Sequence, residues 1–262
     1  MKGHKTLLII DADSILIAAA FASQSVFQWD DETVSFKCDL KKAKEIVEAQ
    51  LDKYRDAVGD KDAGIVMCYS CPTRRYFRHD VYGPYKATRS SSIPPVGLTA
   101  LREAAQSRYL SRHQTNLEAD DVCGILATQK VATIPSFAGA DRVVVSVDKD
   151  LQQIPGLHLN ATNPTEVYKV SPERAEYFLW EQVLTGDTVD NYPGLKGVGP
   201  VKAKAILSQD QPYVVSVMDA YEKAGMSPEY LASQVNCARI LTNKFFNFRE
   251  RKPVLWQTPT RS

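Results

Sequence analysis

Three short apolar runs punctuate the first 150 residues. Residues 6–10 (T-L-L-I-I) end in Asp11-Ala12-Asp13, residues 63–69 end in Ser70-Cys71, and residues 142–147 (R-V-V-V-S-V) end in Asp148-Lys149-Asp150. Each run is short and unbroken, the pattern of a strand buried on both faces. Between them, residues 15–21 are apolar and Ala-rich and open a helix. Residues 40–58 carry Leu, Ile, Val and Tyr at helical spacing among Lys, Glu and Asp, which predicts an amphipathic helix. Strands separated by helices predict a mainly parallel, Rossmann-like α/β sheet with helices on both faces. Such sheets bind ligands beyond the carboxyl ends of their strands, where Asp11, Asp148 and Asp150 fall. From residue 171 to the end the pattern reads as helical. The expected division is therefore a sheet domain over 1–170, where the candidate chemistry falls, and a helical module over 171–262.

Composition narrows the class without naming a partner. The chain has 262 residues, 44% hydrophobic and 24% charged, which excludes wholesale disorder. Lys and Arg total 32 against 31 Asp and Glu, so only the distribution of charge is informative. Five cysteines are an odd number and too few for a disulfide scaffold, which points to a reducing, cytoplasmic setting. Cys68-Tyr69-Ser70-Cys71 is a lone CxxC, read as buried thiols in preference to a metal or redox pair. Asp11 and Asp13 interrupt the apolar start too early for a signal peptide. No stretch reaches the ~18 apolar residues of a membrane span. A monomer with no membrane association is expected.

Charge is unevenly spread in the middle. Residues 74–112 hold Arg74, Arg75, Arg78, Lys86, Arg89, Arg102, Arg108 and Arg112 against only Asp80 and Glu103. Tyr76, Phe77, Tyr82, Tyr85 and Tyr109 are interleaved. Mixed cations and aromatics suit phosphate backbones and stacked bases. A solvated helix face over buried aromatics is the alternative, and the flanking carboxylate sites favour nucleic acid.

Four acidic clusters carry the chemistry. They are Asp11; Glu118 with Asp120 and Asp121 ahead of an apolar helix; Asp148 with Asp150; and Asp187 with Asp190. Eight carboxylates in one cleft repel one another unless hard divalent cations such as Mg²⁺ or Mn²⁺ neutralise them. Two such ions clamp the attacking and leaving oxygens of a phosphodiester. Asp13 is either a further ligand or a cap for the helix that follows. Later, P-G-L-K-G-V-G-P-V-K-A at 193–203 brings Gly194, Gly197 and Gly199 before a Lys-rich helix over 201–207. Glycines permit a sharp turn and close approach to phosphate, and helix-start amides then face it. The pattern reads as a helix-hairpin-helix clamp on a DNA backbone through Lys196, Gly197, Gly199 and Lys202.

These motifs together resemble the 5′-nuclease family, also called flap endonucleases, with its PIN-like sheet. The likeness is nearest to the 5′→3′ exonucleases of short-tailed bacteriophages. It rests on I-I-D-A-D at 9–13, P-Y-K-A-T-R at 84–89, L-E-A-D-D-V at 117–122, S-V-D-K-D at 146–150, G-D-T-V-D-N at 186–191 and the hairpin. The resemblance implies a divalent-metal-dependent 5′→3′ exonuclease and flap endonuclease acting on duplex DNA, and on RNA primers in hybrids, in the cytoplasm of a phage's host. It implies two Mg²⁺ or Mn²⁺ ions on Asp11, Glu118, Asp120, Asp121, Asp148, Asp150, Asp187 and Asp190. Lys86 and Arg89 would stabilise the scissile phosphate, and Tyr85 would stack on a terminal base. Residues 87–116 would form a helical arch. A helix-three-turn-helix would grip duplex DNA, with K⁺ on its carbonyls. One departure stands out. The family's further Asp after the second strand is missing from Cys68-Tyr69-Ser70-Cys71-Pro72, and Asp80 lies too far along to replace it.

Two other readings compete. Asp11-Ala12-Asp13 and Gly186-Asp187-Thr188-Val189-Asp190 also approximate a haloacid-dehalogenase-type phosphatase with Asp11 as nucleophile. That reading needs a strand before Gly186, where residues 178–185 read as helix. The missing carboxylate suggests the other alternative, a DNA-end-binding protein without catalysis.

Overall fold

The computed structural model describes residues 6–87, 93–129 and 134–260. Period-two alternation organises its centre. Strand β1 (Thr6–Asp11) is buried throughout and sends Leu8 and Ile10 into one apolar layer, Leu7 and Ile9 into the other. Helix α1 (Ala12–Ala22) follows directly and leads to a ribbon of β2 (Gln24–Gln28) and β3 (Val34–Cys38). That ribbon leaves Val26, Phe27, Trp29, Val34 and Phe36 exposed. Helix α2 (Leu40–Ala57) buries Ala43, Val47, Leu51 and Tyr54 on one face, and its Asp39 cap accepts from the Lys42 amide at 3.0 Å.

Strand β4 (Gly64–Tyr69) pairs in parallel with β1, Val66 opposite Ile9. After it come α3 (Phe77–Val81), α4 (Leu98–Arg108), β5 (Leu110–His113) and α5 (Ala119–Thr128). Strand β6 (Asp141–Ser146) flanks β1 on its other side, Val144 opposite Ile9. Strands β7 (Gly156–Asn160) and β8 (Val167–Val170) complete the order β5-β4-β1-β6-β7-β8, parallel except for β8. Residues of α1, α2 and α4 cover one layer. Phe77 of α3, the apolar residues of α5, and Ile240, Leu241 and Phe246 cover the other.

The third core is helical. Helices α6 (Pro172–Thr185), α7 (Pro200–Leu207), α8 (Tyr213–Lys223) and α9 (Pro228–Ala238) enclose Trp180, Val183, Leu184, Leu207, Val217, Tyr221 and Val235. The division expected at 170/171 falls at Ser171, the cap of α6. Side chains cross that line in both directions: Tyr85 enters the helical core, and Ile240, Leu241 and Phe246 enter the sheet core.

Two expectations change and one holds. The chain is not helical to its end, because residues after Ala238 run extended into a ribbon of β9 (Phe246–Asn247) and β10 (Lys252–Pro253). An arch over 87–116 is not what the described part forms. Leu101 and Ala105 draw α4 onto the sheet core, and β5 is the sheet's edge strand. Residues 88–92, including Arg89, lie outside the described residues. The segment before Gly186 is α6, a helix, so the strand end required by a haloacid-dehalogenase-type phosphatase is absent there.

Candidate active site

The carboxylates gather at the carboxyl ends of β1 and β6 and the start of α5. Asp11 is the last residue of β1 and is buried. Ser146, last in β6, donates its hydroxyl to Asp11 Oδ2 at 3.1 Å and accepts the Asp148 amide at 3.0 Å. The 3-10 turn Lys149–Gln153 begins there, and Asp148 Oδ1 accepts the Asp150 amide at 2.8 Å. From α6, Gln182 donates to Asp150 Oδ1 at 2.7 Å. Burial first, then the neighbouring charges of Asp13 and Asp148, push Asp11 up to about 7. Burial and the charges of Asp148 and Asp187 push Asp150 to about 7 as well.

Glu118, Asp120 and Asp121 open α5, and their ligand-type oxygens lie within 4.8 Å of one another. Lost solvation, then Asp121 and Glu118, raise Asp120 well above its usual value. Here the protein supplies its own cations. Lys86 sits against Glu118 and 3.4 Å from Asp190 Oδ2. Arg78, 1% exposed, pairs with Glu118 Oε2 at 2.9 Å and with both oxygens of Asp121 at 2.6 and 2.8 Å. Asp121 is fully buried and also accepts the Leu241 and Glu118 amides. Its oxygens are therefore committed to the protein. It thereby anchors the site, and it stays with Glu118 and Asp120 in a group of carboxylates close enough to share an ion.

Asp187 and Asp190 ride on a loop that closes on itself. The Asp187–Tyr192 bridge joins its sides, and Asp187 Oδ1 caps the amides of Val189 and Asp190 at 2.7 and 3.0 Å. Gly186 and Gly194 face each other: a Cβ on Gly186 would lie 2.4 Å from the Pro193 backbone, and one on Gly194 would lie 2.4 Å from the Gly186 nitrogen. Both also have positive φ, 70° and 62°. Tyr85 ties this loop to α5, its hydroxyl 2.8 Å from both Glu118 Oε2 and Asp190 Oδ2.

That bond corrects an expectation. Tyr85 is 2% exposed and packed in the helical core, so its ring offers no face to a base. Part of the basic run is engaged within the protein. Arg75 pairs with Asp80, Arg102 with Asp13 and Arg108 with Glu48, and Arg78 and Lys86 serve the carboxylates. Phe77 is buried. Asp13 does not cap α1: its Oδ2 accepts the Ser70 amide at 2.9 Å, at the end of β4, and Arg102 approaches at 3.8 Å. Cys68, Cys71, Cys123 and Cys237 are buried free thiols, and Cys38 is half-buried.

At the hairpin, Lys196, Gly197, Gly199 and Lys202 are all exposed. Nothing lies within 4 Å of where a Cβ would project from Gly197 or Gly199, and Lys202 Nζ donates to the Gly197 carbonyl at 2.8 Å. The surface is open for close approach by a strand. Sequence reasoning overlooked Ser146, Gln182 and the true role of Arg78. Ser146 was visible inside the S-V-D-K-D motif, whereas Gln182 and Arg78 carry no local signal. The donor set fits hard cations: all oxygen, crowded, and on the Asp11–Asp150 side without a paired cation strong enough to hold those carboxyls at their usual values.

Comparison with known proteins agrees with the fold. The family described as 5′-3′ exonuclease, N-terminal resolvase-like domain, matches residues 6–179. The exodeoxyribonuclease of Enterobacteria phage T3 is 28% identical, covering 96% of this chain and 93% of its own length. The exonuclease of Escherichia phage T7 is 25% identical, covering 97% and 94%. A solved structure of bacteriophage T5 5′-exonuclease with bound divalent metal ions (zinc) superposes with a TM-score of 0.57, covering 89% of each chain at 14% identity. That last likeness is one of fold.

Proposed function

The chain belongs to the 5′-3′ exonuclease family and is a nuclease; we propose that it hydrolyses duplex DNA from 5′ ends and at 5′ flaps, using two divalent cations. The cations are Mg²⁺ or Mn²⁺, held by Asp11, Glu118, Asp120, Asp121, Asp148, Asp150, Asp187 and Asp190. The observation that carries this reading is the pair Asp11 and Asp150, pushed to about 7 by burial and by the charges of the carboxylates beside each of them. A cleft that raises its own carboxyls is complementary to added positive charge. Cations bound there supply that charge and activate water for attack on phosphorus.

The chain's own residues then divide the work. Ser146 and Gln182 hold one oxygen each of Asp11 and Asp150, which fixes the directions of the remaining lone pairs. Tyr85 fixes Glu118 and Asp190 relative to each other. Lys86, already among these carboxylates, is placed to exchange one of them for a phosphate oxygen and so offset charge developing on phosphorus. Arg89, three residues further, is proposed to assist it. Lys196, Gly197, Gly199 and Lys202 grip the phosphate backbone of the duplex as a helix-hairpin-helix, with K⁺ on its carbonyls. RNA primers paired with DNA are further substrates, and the monomeric enzyme acts in phage DNA replication in the host cytoplasm. Among the described residues no helix is long and apolar enough to cross a membrane.

The test uses a 5′-labelled duplex with a 5′ flap and a blunt duplex, each with Mg²⁺ and with EDTA. Short labelled products that depend on Mg²⁺ are expected. The preferred substrate ranks flap against blunt-end action. No cleavage with either Mg²⁺ or Mn²⁺ would overturn the proposal.

A further inference from the structure

Arg78 does more than neutralise acid. Its guanidinium has five N–H protons, and five acceptors meet them. Two bonds go to Asp121 and one to Glu118. The other two go to backbone carbonyls at the end of α9, Cys237 O at 3.0 Å from Nε and Arg239 O at 2.7 Å from Nη2. Asp121 completes the circuit by accepting the Leu241 amide at 3.0 Å. The short stretch 237–241 is thus fastened to the start of α5 at three points.

The same stretch is fastened to the other end of the cleft. Gln153, 7% exposed, donates to Ala238 O at 2.8 Å and accepts the Ile240 amide at 3.0 Å. Its amide also bonds Gln182, which in turn holds Asp150. One short segment, the end of α9 and the residues after it, therefore reaches both carboxylate groups, through Arg78 on one side and through Gln153 and Gln182 on the other. It lies beyond residues 6–179, the part matched by the family profile. Every group in the circuit except half-buried Asp150 is buried, so each broken bond among them leaves an unsatisfied partner and the arrangement moves as a unit.

We propose that residues 237–241 form a clasp and that Arg78 and Gln153 are positioning residues through which it sets the spacing of the cation-binding carboxylates. The inference rests on the reading of those carboxylates as divalent-cation ligands. It assigns the helical module a second task. Besides gripping DNA, its last helix delivers the segment that fixes the ligands.

Two variants test it. Gln153→Met removes both clasp bonds without adding charge. Arg78→Lys keeps the charge but replaces the planar fork with one ammonium group. Mn²⁺ affinity is read from the electron paramagnetic resonance of free Mn²⁺, kcat and KM from the labelled flap duplex, and folding from thermal unfolding. Weakening of partners just outside a metal site costs roughly ten- to a hundredfold in affinity or activity. That loss is expected in Mn²⁺ affinity and kcat, with KM for DNA within about twofold of the unaltered protein. Should Arg78→Lys fail to fold, Gln153→Met alone decides. Unchanged Mn²⁺ affinity and kcat in folded Gln153→Met overturns the clasp. Absence of Mn²⁺ binding by the unaltered protein overturns the cation reading itself, and the clasp with it.

Discussion

The two sides of the cleft solve the problem of crowded acid differently. Around Glu118 and Asp121 the chain brings its own cations, Arg78 and Lys86, and a tyrosine hydroxyl. Around Asp11 and Asp150 it brings a serine and a glutamine, which orient oxygen without cancelling charge. Asp11 and Asp150 rise to about 7, and on the first side Asp120 is raised too, by burial and by Asp121 and Glu118. A nuclease needs a rigid site and an open one. The first side holds the framework together, and the second stays electrostatically unfinished until an outside ion completes it.

The sharpest way to break this comparison is to remove a ligand from the unfinished side. Asp148→Ala, or Asp187→Ala on the neighbouring loop, is expected to lower kcat by at least roughly a thousandfold, while a gel shift shows DNA binding retained. Full activity in both would sink the assignment. Next in size is Lys86→Met on the compensated side. It removes a cation from two carboxylates and is expected to cost about 3 kcal/mol in urea unfolding, and kcat should fall about a hundredfold.

Proton linkage sharpens the contrast further. The ordinary Asp value is 3.8, and the folded-state value of Asp11 and Asp150 is about 7. A raised folded value means the folded state holds the proton more tightly. The stability contributed is full below about pH 4, falls between about 4 and 7, and stays lost above that. Metal-free protein should therefore melt lower at pH 7.5 than at pH 5.5 through these two groups. Added Mg²⁺ should raise the melting temperature more at pH 7.5, and Asp11→Asn should flatten the metal-free dependence. A Mg²⁺ effect equal at both pH values would contradict the unfinished side. The smallest expected effect lies at the hairpin: Lys196→Ala and Lys202→Ala each reduce the slope of log affinity against log salt by about 1, leaving kcat at saturating DNA unchanged.

Much of this was written locally in the chain. Residues 6–10, 63–69 and 142–147 show as strands because a sheet covered on both faces needs uninterrupted apolar sequence. β5, as L-S-R-H, and β7, as G-L-H-L-N, gave no such signal, since polar residues interrupt both. The acids could be found because each cluster follows a strand or starts a helix. Their compensation could not. Arg78 reads as one more basic residue in a basic run, and its partners lie 40, 43, 159 and 161 positions away. The aromatic run misled for the same reason: whether Tyr85 faces a base or a carboxylate is settled by Asp190, 105 residues later.

The exposed ribbon of β2 and β3 makes the molecule optically self-labelled. The chain has three tryptophans, and they stand in three settings. Trp29 on the ribbon is 73% exposed, Trp180 is 4% exposed inside the helical core, and half-buried Trp256 meets Trp180 edge to face at 6.0 Å. Red-shifted emission open to iodide quenching belongs to the ribbon, and blue-shifted, shielded emission belongs to the helices. A single fluorescence spectrum can therefore follow these two regions separately, without an added dye.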